Sequence, residues 1–222
     1  MILGIDTSLG TAVAVVEADG LVLAEESSPD PLGHAEAIGR LLQSALADAA
    51  PGPVGATAPP RAPELTHVAA GMGPGPFTGL RVGIAAARAF ALGRGIPVVP
   101  VASHDAVALD LLLADPWTEP RRFAVVTDAR RREFAFTVYA GLDDDGLPVR
   151  ATDPALVPRD ELEAALSVLG AERRDAASVS AAMLATVAAR MLAADRVGGP
   201  VEPLYLRSPD VTVPKAPKRV GT

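Results

Sequence analysis

Ile2-Leu3-Gly4-Ile5-Asp6-Thr7-Ser8-Leu9-Gly10-Thr11-Ala12-Val13-Ala14-Val15-Val16 places a short apolar run, an acid, a turn of small and hydroxylated residues, and a β-branched run in immediate succession. Both runs read as strands, and Leu21 to Ala24 reads as a third. Asp19-Gly20 separates the second from the third, and because both residues tolerate positive φ this pair marks a hairpin between antiparallel neighbours. The chain therefore opens as a three-stranded meander with Asp6 at its first turn.

Outward from the meander the period changes. Ile38, Leu41, Leu42, Ala45, Leu46 and Ala49 fall on one helical face, with Glu36, Arg40, Gln43 and Asp48 on the other. Ala50 to Pro63 holds five prolines and two glycines, which stop both helix and sheet, and is expected to be a mobile surface loop. His67 to Gly71 reads as a strand, the segment from Gly71 to Gly79 as a turn-rich loop with Thr78 as N-cap, and Leu80 to Arg94 as a helix. That helix is thin and apolar on nearly every side apart from Arg81, Arg88 and Arg94, so it calls for neighbours on more than one face. Ile96 to Val101 follows as a buried strand and His104 to Ala114 as a helix. Phe123 to Thr127 and Phe134 to Tyr139 are strand-like, joined by Asp128-Ala129-Arg130-Arg131-Arg132-Glu133. Asp160 to Leu169 and Val179 to Ala194 have helical spacing, and Pro203 to Arg207 is a short extended segment. The expected division is a first lobe over 1–115, a smaller second lobe over 116–207 and a loose tail over 208–222.

Composition narrows the function classes. The chain has 222 residues, 49% hydrophobic, and no cysteine, which removes disulfides, thiolate metal sites and cysteine nucleophiles together. The first residues carry no basic region and no apolar run is long enough to span a bilayer, so a cytoplasmic location and no membrane contact are expected. A net charge of −7 disfavours direct nucleic-acid binding, which rests on Lys and Arg neutralising phosphates.

The order β-β-β-α-β-α-β, with an acid closing the first strand, resembles one lobe of the actin/Hsp70/sugar-kinase (ribonuclease H-like) architecture, a two-lobed α/β fold with mixed sheets flanked by helices. In that fold an Asp-x-Gly-Thr-type turn after each lobe's first strand approaches ATP phosphates, and its aspartate holds a hydrated metal. Here the two turns are Asp6-Thr7-Ser8 and Asp128-Ala129-Arg130, and an arginine stands where a glycine would admit phosphate. Asp6, Thr7, Ser8, Asp128 and Arg130 read as a vestigial nucleotide site. Gly73-Pro74-Gly75 meets neither phosphate-loop pattern, since no lysine follows and prolines lack N–H donors. Gly198-Gly199-Pro200 reads as a turn. His34, His67 and His104 form no i, i+4 pair for a metal, and Ser8, His104 and Asp105 lack the Gly-x-Ser-x-Gly elbow of a hydrolase triad. Arg130-Arg131-Arg132 reads equally as a contact surface or as a solvated run.

Gly73-Pro74-Gly75-Pro76-Phe77-Thr78-Gly79-Leu80-Arg81-Val82-Gly83 closely resembles the signature of the TsaB (YeaZ) family. Ile2 to Ser8, His34-Ala35-Glu36, Asp128 to Arg131 with Glu133, and Pro203-Leu204-Tyr205-Leu206-Arg207 match it in order along most of the chain. The resemblance implies a non-catalytic scaffold, related in fold to TsaD but without its metal-binding histidines or working nucleotide site. It further implies a part in forming N6-threonylcarbamoyladenosine at tRNA position 37, in tRNAs reading codons that begin with A. Expected partners are a TsaD-like transferase, which takes the group from threonylcarbamoyl-AMP, and a TsaE-like ATPase. ATP and metal are expected on those partners, with no cofactor or metal on this chain and tRNA reached only through the complex. Such proteins bind TsaD through two N-terminal helices, so Ile38, Leu41, Leu42 and Ala45 of the first helix are expected at the interface. Leu80, Gly83, Ile84, Ala87 and Arg88 of the second join them, and a homodimer through the same helices is the competing assembly. Two features depart from the family. Pro76 replaces its usual serine, and the stretch between Leu169 and Val179 lacks its usual glycine-containing strand, which leaves a deletion or an omitted loop there. The rival reading is an autonomous enzyme of the same fold, an ATP-dependent kinase or ATPase or a glycoprotease-like peptidase.

Overall fold

The computed structural model describes residues 1–30, 32–50, 63–114, 121–196 and 202–207. β1 (Ile2–Asp6), β2 (Thr11–Val16) and β3 (Val22–Ser28) form the antiparallel meander, and Gly20, at φ +96°, turns β2 into β3. β4 (His67–Gly71) pairs parallel with β1, and β5 (Val98–Val101) parallel with β4, giving the order β3-β2-β1-β4-β5. The third strand runs beyond the expected Ala24 through Glu25, Glu26, Ser27 and Ser28. It is a sheet edge, where polar side chains reach water while the backbone still pairs.

β1 and β2 are buried on both faces, and the pleat assigns alternate residues to two cores. Leu3, Ile5, Val13 and Val15 meet α1 (His34–Asp48) and α2 (Phe77–Arg94) on one side. Ile2, Ala12, Ala14 and Val16 meet α3 (Ser103–Ala114) and α5 (Ala181–Ala193) on the other. Helix α5, which the expected division assigns to the second lobe, thus packs on the first sheet. Ser180 caps it by accepting from Met183 N, and Glu25 of β3 accepts from Ser180 Oγ at 2.9 Å and from Ala182 N at 3.1 Å.

The second sheet holds β6 (Phe123–Asp128), β7 (Glu133–Leu142), β8 (Pro148–Arg150) and β10 (Glu172–Asp175) in the order β10-β6-β7-β8, with β9 (Ala155–Pro158) also on β7. Helix α4 (Leu162–Leu169) buries Leu162 and Leu166 against it. A strand therefore does stand between Leu169 and Val179. Its sequence, Glu-Arg-Arg-Asp, carries no apolar pattern, and it is held by parallel pairing with Phe123 to Val126. The expectations for the loop at 51–62, the boundary at 115/116, the turn at 198–200 and the tail at 208–222 fall outside the described residues. Among the described residues no helix is long and apolar enough to cross a membrane.

Candidate functional site

Asp6 closes β1 with its carboxylate inside the fold. One oxygen accepts from Ser8 N at 2.7 Å and Ser8 Oγ at 2.5 Å, and the other accepts from Ser103 Oγ at 2.5 Å. Ser103 Oγ in turn accepts from Gly73 N at 3.1 Å. A Cβ on Gly71 would lie 1.9 Å from Asp6 Oδ2, so backbone packs directly against the acid. Burial pushes the Asp6 carboxyl above its ordinary range, opposed by the hydrogen bonds from Ser103 and Ser8. Both oxygens serve the fold, tying β1 to α3 and to the glycine-rich loop.

Thr7 does the corresponding work for α2. Its hydroxyl donates to Gly79 O at 2.7 Å and accepts from Gly83 N at 3.1 Å. Gly75, Gly79 and Gly83 recur every fourth residue, which gathers them along one line of the chain. A Cβ on Gly75 would come within 2.7 Å of Ser8 Cβ, one on Gly79 within 2.6 Å of Thr7 O, and one on Gly83 within 2.2 Å of Thr7 Oγ1. The expected signature loop and the expected vestigial turn are therefore one contact surface, with the glycines admitting α2 to the β1–β2 turn. Thr78 is exposed, and the N-cap position belongs to Pro76, which offers no side-chain bond. The Gly73–Pro74 peptide is cis.

The outer residues of the same signature face the C-terminal strap. The Arg81 guanidinium lies 3.7 Å from the Phe77 ring centre and donates through Nε to Tyr205 Oη at 3.0 Å, while Phe77 and Tyr205 stand 4.7 Å apart. Leu204 N donates to Met72 O at 2.8 Å, and Arg207 pairs with Glu133 of β7. Pro203 to Arg207 thus joins α2 to the second sheet. Nothing in the composition of this segment signalled that role, although its Tyr and Arg are residue types suited to stacking and pairing.

The second turn has the opposite character. Asp128 has a side chain 59% exposed, accepts from Arg130 N at 2.7 Å and pairs with Arg159 at 2.8 Å. The Arg130 backbone bond and the Arg159 side chain hold its carboxyl below the ordinary range. Arg130, Arg131 and Arg132 have φ of 62°, 51° and 65°, three successive residues in the left-handed region that side chains other than glycine adopt at about 1 kcal/mol or more apiece. Between the glycine-rich loop and the second turn lies a cleft of about 610 Å³, walled by Pro74 to Gly79, by Thr127 to Arg131 and by the strap.

The remaining candidates sit in separate networks. His34 is buried, with Nδ1 2.9 Å from the Thr11 hydroxyl, and His67 lies beside Thr66 at the start of β4. His104 bridges Thr137 at 2.9 Å and Thr127 at 3.0 Å, and burial pushes its imidazole down to about 3. Asp105 accepts from Tyr139 Oη at 2.7 Å and pairs with Arg150. Ser8, His104 and Asp105 therefore form no triad.

The expected interface residues lie mostly inside the fold. Ile38, Leu41, Ala45, Leu80, Gly83, Ile84 and Ala87 are buried in the chain's own core, and Leu42 is half-buried; only Arg88 is exposed. Their apolar period marks the face each helix turns to the sheet. Ile84→Asp and Ala87→Glu would consequently disturb folding before association. The outward faces carry Ala35, Gly39 and Gln43 on α1, and Ala85, Ala89 and Leu92 on α2, with Leu92 85% exposed. A Cβ added to Gly39 or Gly93 would meet no atom within 4 Å, so neither glycine answers to packing inside the chain.

Residues 31–148 match the family described as TsaD, tRNA N6-adenosine threonylcarbamoyltransferase. The chain is 36% identical over 219 residues to uncharacterized proteins of Mycobacterium tuberculosis and Mycobacterium bovis, covering 94% of this chain and 92% of each relative. A Mycobacterium leprae protein is 38% identical over 164 residues, 70% of this chain and 38% of its own length. Among solved structures, YeaZ from Pseudomonas aeruginosa superposes with a TM-score of 0.70 at 23% identity, covering 92% of this chain and 99% of that one. Another structure, described as an uncharacterized protein with similarity to peptidase YEAZ from the same organism, gives 0.69 at 23%, covering 93% and 99%. The fold is shared with these proteins, and the actin/Hsp70/sugar-kinase-like expectation holds.

Proposed function

Because the chain belongs to the TsaB (YeaZ) family of TsaD-like proteins, we propose that it is a non-catalytic subunit that binds and activates a TsaD-like transferase in forming N6-threonylcarbamoyladenosine at tRNA position 37. The observation that carries this reading is Asp6. The acid that would hold a nucleotide's metal is buried and bonded to Ser8 and Ser103, and the backbone of Gly71 packs on it. The second turn supports it too, since Arg130 brings a side chain where phosphate would need open backbone N–H groups.

In this reading the outward faces of α1 and α2 are the docking surface. Gly39 costs helix stability without serving internal packing, and Ala35, Ala85 and Ala89 keep the profile low, so a partner's helices approach closely over exposed Leu92. ATP and metal belong to the transferase and a TsaE-like ATPase, and the acidic chain leaves tRNA to those partners in the cytoplasm. A homodimer through the same faces competes when the partner is absent.

The test is multi-angle light scattering of the chain, of its own organism's TsaD-like protein and of their mixture, followed by a threonylcarbamoyl-transfer assay on tRNA. A mixed complex that raises transfer, and that Ala89→Glu prevents, is the expected result. Absence of a complex together with ATP turnover or peptide cleavage by the chain alone would replace this reading with an autonomous enzyme.

A further inference from the structure

We infer that Arg81 of α2 is the charged anchor of the docking face, and that it receives a carboxylate from an Asp or Glu side chain of the TsaD-like transferase. The inference rests on the reading above and names the chemistry which that reading leaves open. Thr78, Arg81, Ala85, Ala89 and Leu92 are exposed at spacings of three and four, so they lie along one outward face of α2. Arg81 is the cation of that stripe.

The arginines of α2 differ in what they do for the chain itself. Arg88 already has an interaction of its own. Arg94 lies over the Phe90 ring in the last turn, where a cation offsets the negative end of the helix dipole. Arg81 stands near the other end, where that dipole gives a cation no support. Its contacts are the Phe77 ring at 3.7 Å and, through Nε, the Tyr205 hydroxyl oxygen at 3.0 Å. Both are uncharged groups, so they hold the guanidinium in place without neutralising it. Among the described residues no carboxylate pairs with it, and its Nη nitrogens have no acceptor.

A guanidinium fixed in this way presents a planar fork of N–H donors, and the groups that match the fork are a carboxylate or a phosphate. The surroundings select the carboxylate. Ala85, Ala89 and Leu92 continue the face with small and apolar side chains, which suit a packed protein helix and bring no further cation. The net charge of −7 opposes a phosphate backbone. Once a partner helix excludes water from the face, the pair also fixes the register of docking.

The experiment measures the affinity of the full chain for its own organism's transferase by titration calorimetry. Arg81→Glu, Arg81→Lys and Tyr205→Phe are compared, each first checked for cooperative melting. We expect Arg81→Glu to weaken association by about tenfold or more and Arg81→Lys by less. Tyr205→Phe, which removes the strap bond and leaves the charge, should weaken it by about threefold at most. Replacing exposed acids on the transferase's docking helices by Lys, one at a time, should restore binding to Arg81→Glu at one position, a rescue that a purely structural role of Arg81 does not produce. The same transferase substitutions measured against the unsubstituted chain apply whichever variant folds, and one of them should weaken binding by about tenfold. If the unsubstituted chain forms no complex, the proposed function fails and the anchor with it. If the complex forms and a folded Arg81→Glu binds as tightly, or no reversal on the transferase restores it, the anchor alone is overturned. Loss of tRNA from an Arg81→Glu complex that keeps the transferase would also overturn it, by giving the guanidinium to RNA phosphate.

Discussion

Asp6 and Asp128 close equivalent strands. β1 and β6 each pair antiparallel with the strand that follows and parallel with a strand from later in the chain. Yet Asp6 is 2% exposed and bonded to two serines, while Asp128 lies open beside Arg159. The residues after each acid explain the divergence. Thr7 and Ser8 are small enough for α2 to close over them and carry hydroxyls that satisfy what is buried, whereas Arg130 to Arg132 hold the second turn in water. An aspartate at a strand end is therefore no functional assignment by itself; its neighbours decide whether it faces a ligand or the core.

The contrast is sharpest at the first turn, where the largest effect is expected. Gly83→Val drives its side chain into Thr7 and should lower unfolding free energy by about 3 kcal/mol, read from the urea midpoint. Asp6→Asn replaces an acceptor of three hydrogen bonds by a group with one acceptor atom, and should cost about 2 kcal/mol in the same measurement.

Acid separates the buried groups from the exposed ones. His104 is held down to about 3 from an ordinary 6.5, so the unfolded chain takes up its proton first, and stability is lost as pH falls through that window. Between pH 7 and pH 5 the loss should be about 2 kcal/mol, and His104→Gln should flatten it. The two aspartates oppose each other. Asp6, raised, contributes stability at low pH that is lost as pH rises above 3.8, whereas Asp128, lowered, contributes stability above 3.8 that is lost on acidification. Gly39→Ala, on the face turned away from the sheet, should add about 1 kcal/mol and weaken association with the transferase. Asp128→Asn should change stability by about 0.5 kcal/mol or less, which titration calorimetry and urea unfolding together would resolve.

Much of the first sheet and its flanking helices was legible in the sequence. The meander followed from apolar runs broken by Asp19-Gly20, and α1 from its 3.6-residue period. The same apolar period guided the choice of interface residues. It marks burial, and burial against the chain's own sheet looks identical in sequence to burial against a partner. Gly39 carries a signal of another kind, since it breaks the local preference of a helix without a turn to explain it. The four-residue recurrence of Gly75, Gly79 and Gly83 likewise held the contact between loop and turn, which only the placement of Thr7 and Ser8 completes. β10 was illegible because edge pairing needs backbone alone, and Glu-Arg-Arg-Asp offers no strand pattern. The strap was read as extended, but its stacking on Phe77 and Arg81 joins residues 124 or more positions apart, beyond any local period.

The central claim is that Asp6 holds the fold and takes no part in chemistry. Its most direct test is the rate of threonylcarbamoyl transfer to tRNA by the reconstituted complex carrying Asp6→Asn, at a temperature where circular dichroism shows the variant folded. The account predicts a rate within about twofold of the unsubstituted complex. A loss of about a hundredfold or more in a folded variant that still binds the transferase would contradict it.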